Sequence, residues 1–369
     1  MNGPKRKIRY AVVGLGHLSQ VAILPAFASA RHSELVALVT GDPLKARKLS
    51  RKYRIDRVYS YDEYEECLAQ GVDAVYIVLP NHLHRDFTIR AAKAGVHVLC
   101  EKPMAVSSAE CRDMIAAMRR HKLKFMTAYR LHFERTNLEA ISLARSGKLG
   151  ELRFFGSEFS QQVNDGNVRV VEPSRRGGGP VYDMGVYCMN AARYLFGDEP
   201  VEVQATSASA RDPRFRKTEE MTAVTMRFPG ERIATFTVSF GAVDVDMYTL
   251  VGTRGSLIAK PAYGYHDPLN LEITIGERTR TRQFAKRDHF AAEMDYFSNC
   301  ILDGREPEPD GVEGLADVRI IEAIYQSIRS GRAVKLPKES RRRRPSLVQE
   351  VHRPAHGAPR TVKVQAPKR

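Results

Sequence analysis

Lys102 stands in VLCEKPM (98–104), where an apolar run stops abruptly at Glu101-Lys102-Pro103. Read alone, it is an exposed turn lysine. At the mouth of a buried strand, withdrawn from water beside a cationic ring, such a lysine holds its proton less tightly and can help move one. Pro103 would then fix the backbone that aims it. Asp183 and Tyr187 lie four residues apart in GGGPVYDMGVY (177–187), so on a helix they share a face. A carboxylate and a phenol stacked after a flexible triglycine form a proton-transfer pair. The plainer reading is an acidic helix start and a half-buried tyrosine.

A third run supplies what such chemistry would act with. Gly14-Leu15-Gly16-His17-Leu18-Ser19 follows a short β-rich stretch and opens a helix. Glycines there let the backbone approach a pyrophosphate, and the helix N-terminus holds the anion. The next strand ends in Val39-Thr40-Gly41-Asp42. NAD sites usually place an acid at that tip to hold the ribose diol. A hydroxyl at Thr40 with Lys45 and Arg47 following suits a 2′-phosphate instead, which favours NADP. Asp42 is the residue that would argue for NAD. Leu79-Pro80-Asn81-His82-Leu83-His84 ends a third strand. Its HxH has no second ligand cluster nearby, so contacts of Asn81 and His84 with a nicotinamide ribose are the better reading than a metal.

The elements that must position these residues alternate at first. Residues 8–13, 35–40, 73–80, 96–100 and 124–129 read as strands separated by helical stretches, one of which begins with the capping-box pattern SSAE. That grammar predicts a parallel sheet with helices on both faces, with functional groups at the carboxyl ends of the strands. After about residue 150 β-rich runs follow one another with few helices between them, as in a mainly antiparallel sheet. Helices are expected at about 180–196 and in HFAAEMDYFSNCIL and LADVRIIEAIYQSIRSG. The long stretch 161–179 reads as a functional loop. The predicted fold class is α/β: a Rossmann domain over 1–129, a substrate and oligomerisation domain with an open sheet over 130–337, and a basic tail over 338–369.

Composition bounds the rest. The 369 residues are 43% hydrophobic and carry a formal charge of +15. Residues 338–369 hold ten Lys or Arg against two acids, so +8 of that charge sits in the tail. A proline-containing, charge-rich segment poor in apolar residues reads as disordered and solvated. A nucleic-acid role would have to act through it and is the weaker reading. No run approaches the roughly 18 apolar residues that span a bilayer. Five cysteines without CxxC spacing, and no signal-peptide pattern at the start, point to a cytoplasmic protein with reduced thiols.

GLGHLS, LPNHLH, CEKPM, AYRLHF and GGGPVYDMGVYCMNAARYLFG, in this order and spacing, resemble the Gfo/Idh/MocA oxidoreductases, and among them the glucose–fructose oxidoreductase branch. The resemblance runs from about residue 8 to 337. It implies that Lys102 is the lysine of the family's EKP motif, with Glu101 beside it. Asp183 and Tyr187 would match the D-x-G-x-H/Y motif, Thr40 and Lys45 the residues for the NADP 2′-phosphate, and Arg130 a position near the nicotinamide. It further implies a homo-oligomer, dimer or tetramer, built through the second sheet. The expected activity is NADP-dependent oxidation of a pyranose aldose at C1, with Tyr187 taking the hydroxyl proton, Lys102 assisting electrostatically and Asp183 orienting sugar and phenol. A second sugar could be reduced in return. The alternatives are a reductase or dehydrogenase of another polyol, anhydro-sugar or cyclic diol, and a non-catalytic NADP-binding regulator. Two departures stand out: the chain starts almost directly at the first strand, and loop 161–176 has no Trp, so sugar preference does not carry over. Arg169 in that loop is a candidate cofactor contact.

Overall fold

Six short apolar runs become the strands β1 (Ile8–Val13), β2 (Ser33–Val39), β3 (Val58–Tyr59), β4 (Ala74–Ile77), β5 (His97–Glu101) and β6 (Phe125–Ala128). They form a wholly parallel sheet in the order β3-β2-β1-β4-β5-β6. This is the doubly wound order whose switch point, between β1 and β4, opens a crevice at the strand ends. Every residue of β4 and β6 is buried, as expected where helices cover both faces. Two-residue β3 lies in a tyrosine-rich stretch and was not expected from the sequence. The third expected strand ends at Ile77: Val78 N–H makes one more bond to Val13 O, and after Pro80 the chain turns into Asn81–Leu83. The structure, a computed structural model, describes residues 6–338, 344–357 and 359–364.

Helix starts follow their capping residues. Asp42 accepts from Leu44 N and Lys45 N ahead of helix Pro43–Tyr53. Ser107 accepts from Glu110 N ahead of helix Ser108–Arg120, while Glu110 reaches back to Val106 N, one residue before the cap.

The second sheet has nine strands in the order β14-β13-β12-β11-β7-β10-β9-β8-β15. They are β7 (Leu152–Ser160), β8 (Glu202–Ala208), β9 (Met221–Phe228), β10 (Arg232–Ser239), β11 (Val245–Gly252), β12 (Gly255–Ala259), β13 (Asn270–Ile275), β14 (Arg278–Gln283) and β15 (Val334–Lys335). Only β7 and β10 pair in parallel; the other neighbours are antiparallel. One face packs Phe155, Phe236, Tyr248 and Leu250 on helices Arg135–Arg145 and Val186–Phe196. The other face leaves Phe154, Met221 and Ile233 exposed. Arg193 is fully buried in this unit. Its guanidinium donates to Asp317 at 2.5 Å and to both oxygens of Glu199 at 2.6 and 2.9 Å. Those bonds answer the desolvation of a buried charge.

The domain boundaries differ from the expected ones. One compact unit comprises Met1–Arg130, Arg287–Leu315 and Val351–Ala366; the other comprises Leu131–Lys286 and Ala316–Glu350. The first cut falls after Arg130. Helix His289–Leu302, however, belongs to the Rossmann unit rather than the second domain. Its Asp295 accepts from Arg31 N and His32 N at 2.8 Å. Its Ser298 hydroxyl joins Tyr10 and Ser33 at 2.9 and 2.8 Å.

A disordered, solvated tail does not describe residues 344–357 and 359–364. There three of the four Lys and Arg side chains, Arg344, Arg353 and Lys363, are ion-pair partners rather than solvated charge. Arg353 is buried against Asp295 at 2.5 and 2.6 Å, and Arg344 bonds Glu199 at 2.7 Å. Leu347–Gln349 forms a 3₁₀ turn with a capping box. Residues 339–343, 358 and 365–369, which include the first three arginines of RRRRPS, lie outside the described residues. Among the described residues no helix is long and apolar enough to cross a membrane, and no group of three or more His, Cys, Asp or Glu is placed to hold a metal ion.

Candidate active site

The glycine-rich turn leaves β1 with Gly14 at φ +94°, a left-handed conformation that favours glycine. A Cβ on Gly14 would lie 2.5 Å from Val78 O, so glycine is also needed for β1 to approach the β4 end. Gly16 is different: a Cβ there would meet nothing within 4 Å. The space in front of Gly16 is open, as a pyrophosphate cradle requires. Ser19 Oγ donates to Gly14 O and ties the turn to the helix start. The helix begins as a π turn, Ser19–Ile23. Leu15 is buried, so only its backbone can face a ligand; Gly16, His17 and Leu18 are partly exposed. Burial pushes the His17 imidazole down, which keeps it neutral at pH 7.

At the β2 end, Thr40 is mostly buried and its Oγ1 accepts from Asp42 N at 3.3 Å. Asp42 is fully engaged. One oxygen caps the helix through Leu44 N and Lys45 N, and the other lies 2.8 Å from Lys363 Nζ. The Lys363 bond and the helix amides hold the Asp42 carboxyl below its usual range. Both of its oxygens are therefore already engaged. Lys45 is partly exposed and Arg47 exposed, leaving cations at the tip where a 2′-phosphate would come. The residues present fit NADP.

Lys102 directly follows β5 in a buried position, with a cis peptide to Pro103 after it. Glu101 beside it is buried too, and takes part in a chain that sequence reasoning missed. Tyr76 Oη lies 2.9 Å from Glu101 Oε1 and 3.1 Å from Glu293 Oε2. A phenol has one proton to donate, so one of the two carboxyls must be protonated to give the second bond. Glu293 is that group. Its Oε1 is buried with no hydrogen-bond partner, which an ionised carboxylate would not tolerate. Burial first, and the Glu101 charge second, push the Glu293 carboxyl well up. Burial pushes Glu101 up as well, opposed by the Lys102 charge, the Tyr76 bond and Arg130. The polarity follows: Glu293 donates to Tyr76, Tyr76 donates to Glu101, and an anionic Glu101 sits beside Lys102. Glu293 was findable. With Phe290, Met294 and Phe297 it lies at i, i+3, i+4 and i+7, an acid in the apolar stripe of its helix.

Arg130 begins the 3₁₀ turn after β6 and is buried, with Nη1 3.3 Å from His289 Nδ1 and its guanidinium carbon 5.7 Å from the Phe290 ring centre. Leu79 is buried, Pro80 is half-buried, and Asn81 is fully buried at the start of the turn Asn81–Leu83. His84 has a different task from the ribose contact expected of it. It is fully buried, with Nε2 2.8 Å from Leu79 O and Nδ1 3.1 and 3.2 Å from Pro103 O and Met104 O. The ring pins the turn after β4 to the chain just past Lys102. It supports the lysine loop from behind.

Asp183 and Tyr187 belong to the second unit. Asp183 lies in a π turn, Val181–Gly185, that runs into the α-helix Val186–Phe196 carrying Tyr187. Single π turns of this kind are frequent at functional sites. The preceding glycines are not a flexible hinge. A Cβ on Gly178 would overlap Glu172 O, and Gly179, at φ +92°, would clash with Thr218 and Glu219. Arg169 is not left over for a cofactor: its Nε lies 3.6 Å from Asp183 Oδ1. Helix Val168–Val171, capped by Asn167, presents it there. Tyr187 is half-buried among Phe159 and Tyr263, each with ring centres 5.9 Å away.

Both units match one family. The family model described as "Oxidoreductase family, NAD-binding Rossmann fold" matches residues 8–129, and that of the GFO/IDH/MocA C-terminal domain matches 138–258. The chain belongs to the Gfo/Idh/MocA oxidoreductases. It is 30% identical to a D-xylose 1-dehydrogenase [NADP(+)] of Haloarcula marismortui, over 89% of this chain and 93% of the relative. It is 30% identical to D-xylose 1-dehydrogenase (NADP(+)) 2 of Haloferax volcanii, over 89% and 99%. Among solved structures, the aldose-aldose oxidoreductase of Caulobacter crescentus superposes with a TM-score of 0.86 at 40% identity, over 90% of this chain and all of that one.

Proposed function

We propose that this protein is an NADP-dependent sugar oxidoreductase that oxidises a pyranose aldose, of the glucose or xylose type, at C1 to the lactone. The observation that carries this reading is the buried lysine at the end of β5, held beside a carboxylate kept anionic by the Tyr76–Glu293 chain. Relatives at 30% and 40% identity that act on aldoses supply the substrate class. NADP would be held by the backbone of Gly14–Leu18, by Lys45 and Thr40 at the β2 tip, and by Leu79, Pro80, Asn81, Glu101, Lys102 and Arg130 toward the nicotinamide end. Bound there, it supplies the acceptor for the C1 hydride. Asp42, used up by its helix and Lys363, does not compete for the ribose, which supports NADP over NAD.

Tyr187 takes the proton of the C1 hydroxyl. Lys102, charged beside Glu101, lowers the cost of the developing alkoxide. Asp183, anchored by Arg169, orients the sugar hydroxyl and the phenol. General acid–base assistance of this kind contributes on the order of 10²–10⁴ in rate. His84 and Glu293 act through Lys102 and Glu101 rather than on the sugar. The exposed Phe154, Met221 and Ile233 of the second sheet support a homo-oligomer formed through that face. Five buried thiols, with no disulfide among them, support a cytoplasmic location.

The test is Lys102→Met. With NADPH still bound, as read by its fluorescence, turnover of an aldose panel should fall by roughly 10²–10⁴. Near-full turnover in that variant would remove Lys102 from the reaction. In the unmodified protein, no spectral change of the nicotinamide with any aldose would redirect the reading to other polyols and cyclic diols.

A further inference from the structure

The C-terminal segment returns to the Rossmann unit and crosses its cofactor end. Arg353 anchors it on Asp295, and Asp288 N–H donates to Arg353 O at 3.1 Å. Beyond that anchor Pro354 bridges to Arg287 and His356 lies 3.8 Å from Asp288, and residues 359–364 then touch the unit at three places. Lys52 Nζ donates to Arg360 O at 2.9 Å. Val362 pairs through both backbone groups with the Gln20 side chain: Val362 N–H donates to Oε1 at 2.7 Å, and Nε2 donates to Val362 O at 3.0 Å. Lys363 then meets Asp42 at 2.8 Å.

The places contacted are informative. Gln20 stands on the helix that opens from the glycine-rich turn, and its amide also donates to Leu15 O within that turn at 3.0 Å. Asp42 is the cap just past the β2 tip. In a sheet of this strand order, the adenosine half of a dinucleotide lies between these two lips. Residues 360–363 join one lip to the other. The same segment brings Lys363 to the tip, where it cancels the one acid that would repel a 2′-phosphate.

We propose that residues 359–364 form a strap over the adenosine end of the cofactor site, which selects NADP over NAD through Lys363 and slows the cofactor's release. This rests on the NADP-dependent reading above and deepens it. An enzyme whose cofactor leaves slowly must regain the oxidised form in place. The hydride taken from C1 of one aldose then goes to the carbonyl carbon of a second, open-chain aldose, and the proton given up by the C1 hydroxyl goes to that carbonyl's oxygen, giving a lactone and an alditol. The strap therefore favours exchange between two sugars over turnover of free NADP.

The experiment compares the full chain, a chain ending at Gly357, which keeps the Arg353 anchor, and the full chain with Lys363→Glu. Bound NADPH is chased with excess NADP, and its fluorescence decay gives the release rate. Affinities for NADPH and NADH are measured alongside, and thermal melts confirm that all three proteins fold. Shortening the chain should speed NADPH release on the order of tenfold or more, about the worth of one net hydrogen bond. Lys363→Glu should weaken NADPH more than NADH. Equal release rates and an unchanged NADPH-to-NADH ratio would overturn the strap while leaving the enzyme reading intact. A full chain that binds no NADPH would overturn both.

Discussion

Replacing Glu293 by Gln tests the protonation state on which the Lys102 site depends. Gln keeps the shape and can donate to Tyr76 Oη as the protonated acid does, but it has no proton to lose. In the unfolded chain a glutamic acid titrates near 4.5; in the fold this one is pushed well above that by burial. The folded protein therefore keeps a proton that the unfolded chain gives up as pH rises through that value. Stability must fall with pH on account of this group, until its folded pKa is reached. The slope is just over 1 kcal/mol between pH 5 and 6 and approaches about 1.4 kcal/mol for each further unit over which Glu293 stays protonated. The variant lacks this slope. Its stability relative to the parent should rise by that amount per unit, whatever offset the amide introduces. Urea unfolding of both proteins at pH 5.0, 5.5, 6.0 and 6.5, followed by circular dichroism, measures the difference, and other titrating groups cancel in the subtraction. A difference that is flat with pH would mean that Glu293 is ionised in the fold, and the assigned hydrogen-bond polarity would be wrong.

Two glycine variants separate fold from ligand. Gly14→Ala should destabilise the Rossmann unit, since its backbone is left-handed and its Cβ would press on Val78 O. Gly16→Ala should melt like the parent yet bind NADPH more weakly, because the space its methyl enters is open; equal NADPH affinity would remove the pyrophosphate from that turn. In the second unit, Asp317→Ala removes one of the two carboxylates paired with buried Arg193, and a loss of about 3 kcal/mol is expected in urea unfolding. A loss under about 1 kcal/mol would mean that Glu199 alone suffices as the counter-ion of Arg193.

The sequence carried the parallel sheet because its strands are continuous apolar runs separated by capped helices, and both signals are local. It carried Gly14, Lys102 and Asp183 because each breaks a local pattern. What it hid was non-local. His84 reads as a cleft residue until its nitrogens are seen facing Leu79, Pro103 and Met104. Tyr76 is one more apolar-run residue until Glu293 arrives from a helix more than two hundred positions away. Arg169, expected to face a cofactor, is the counter-ion of Asp183. Arg353 and Lys363 belong to a run whose charge predicts disorder, and only their acidic partners, distant in the chain, order it.

The discontinuity of the Rossmann unit has a consequence during synthesis. The helix that covers β1 and β4, His289–Leu302, follows β6 by more than 150 residues of the other unit. At typical elongation rates the nascent sheet waits on the order of 10–30 s with that face uncovered. The second unit can assemble most of its sheet in that interval. An excised fragment ending near residue 130 would therefore behave as an aggregation-prone intermediate rather than a small autonomous domain, and chaperone capture of stalled chains should peak between the emergence of β6 and that of Glu293.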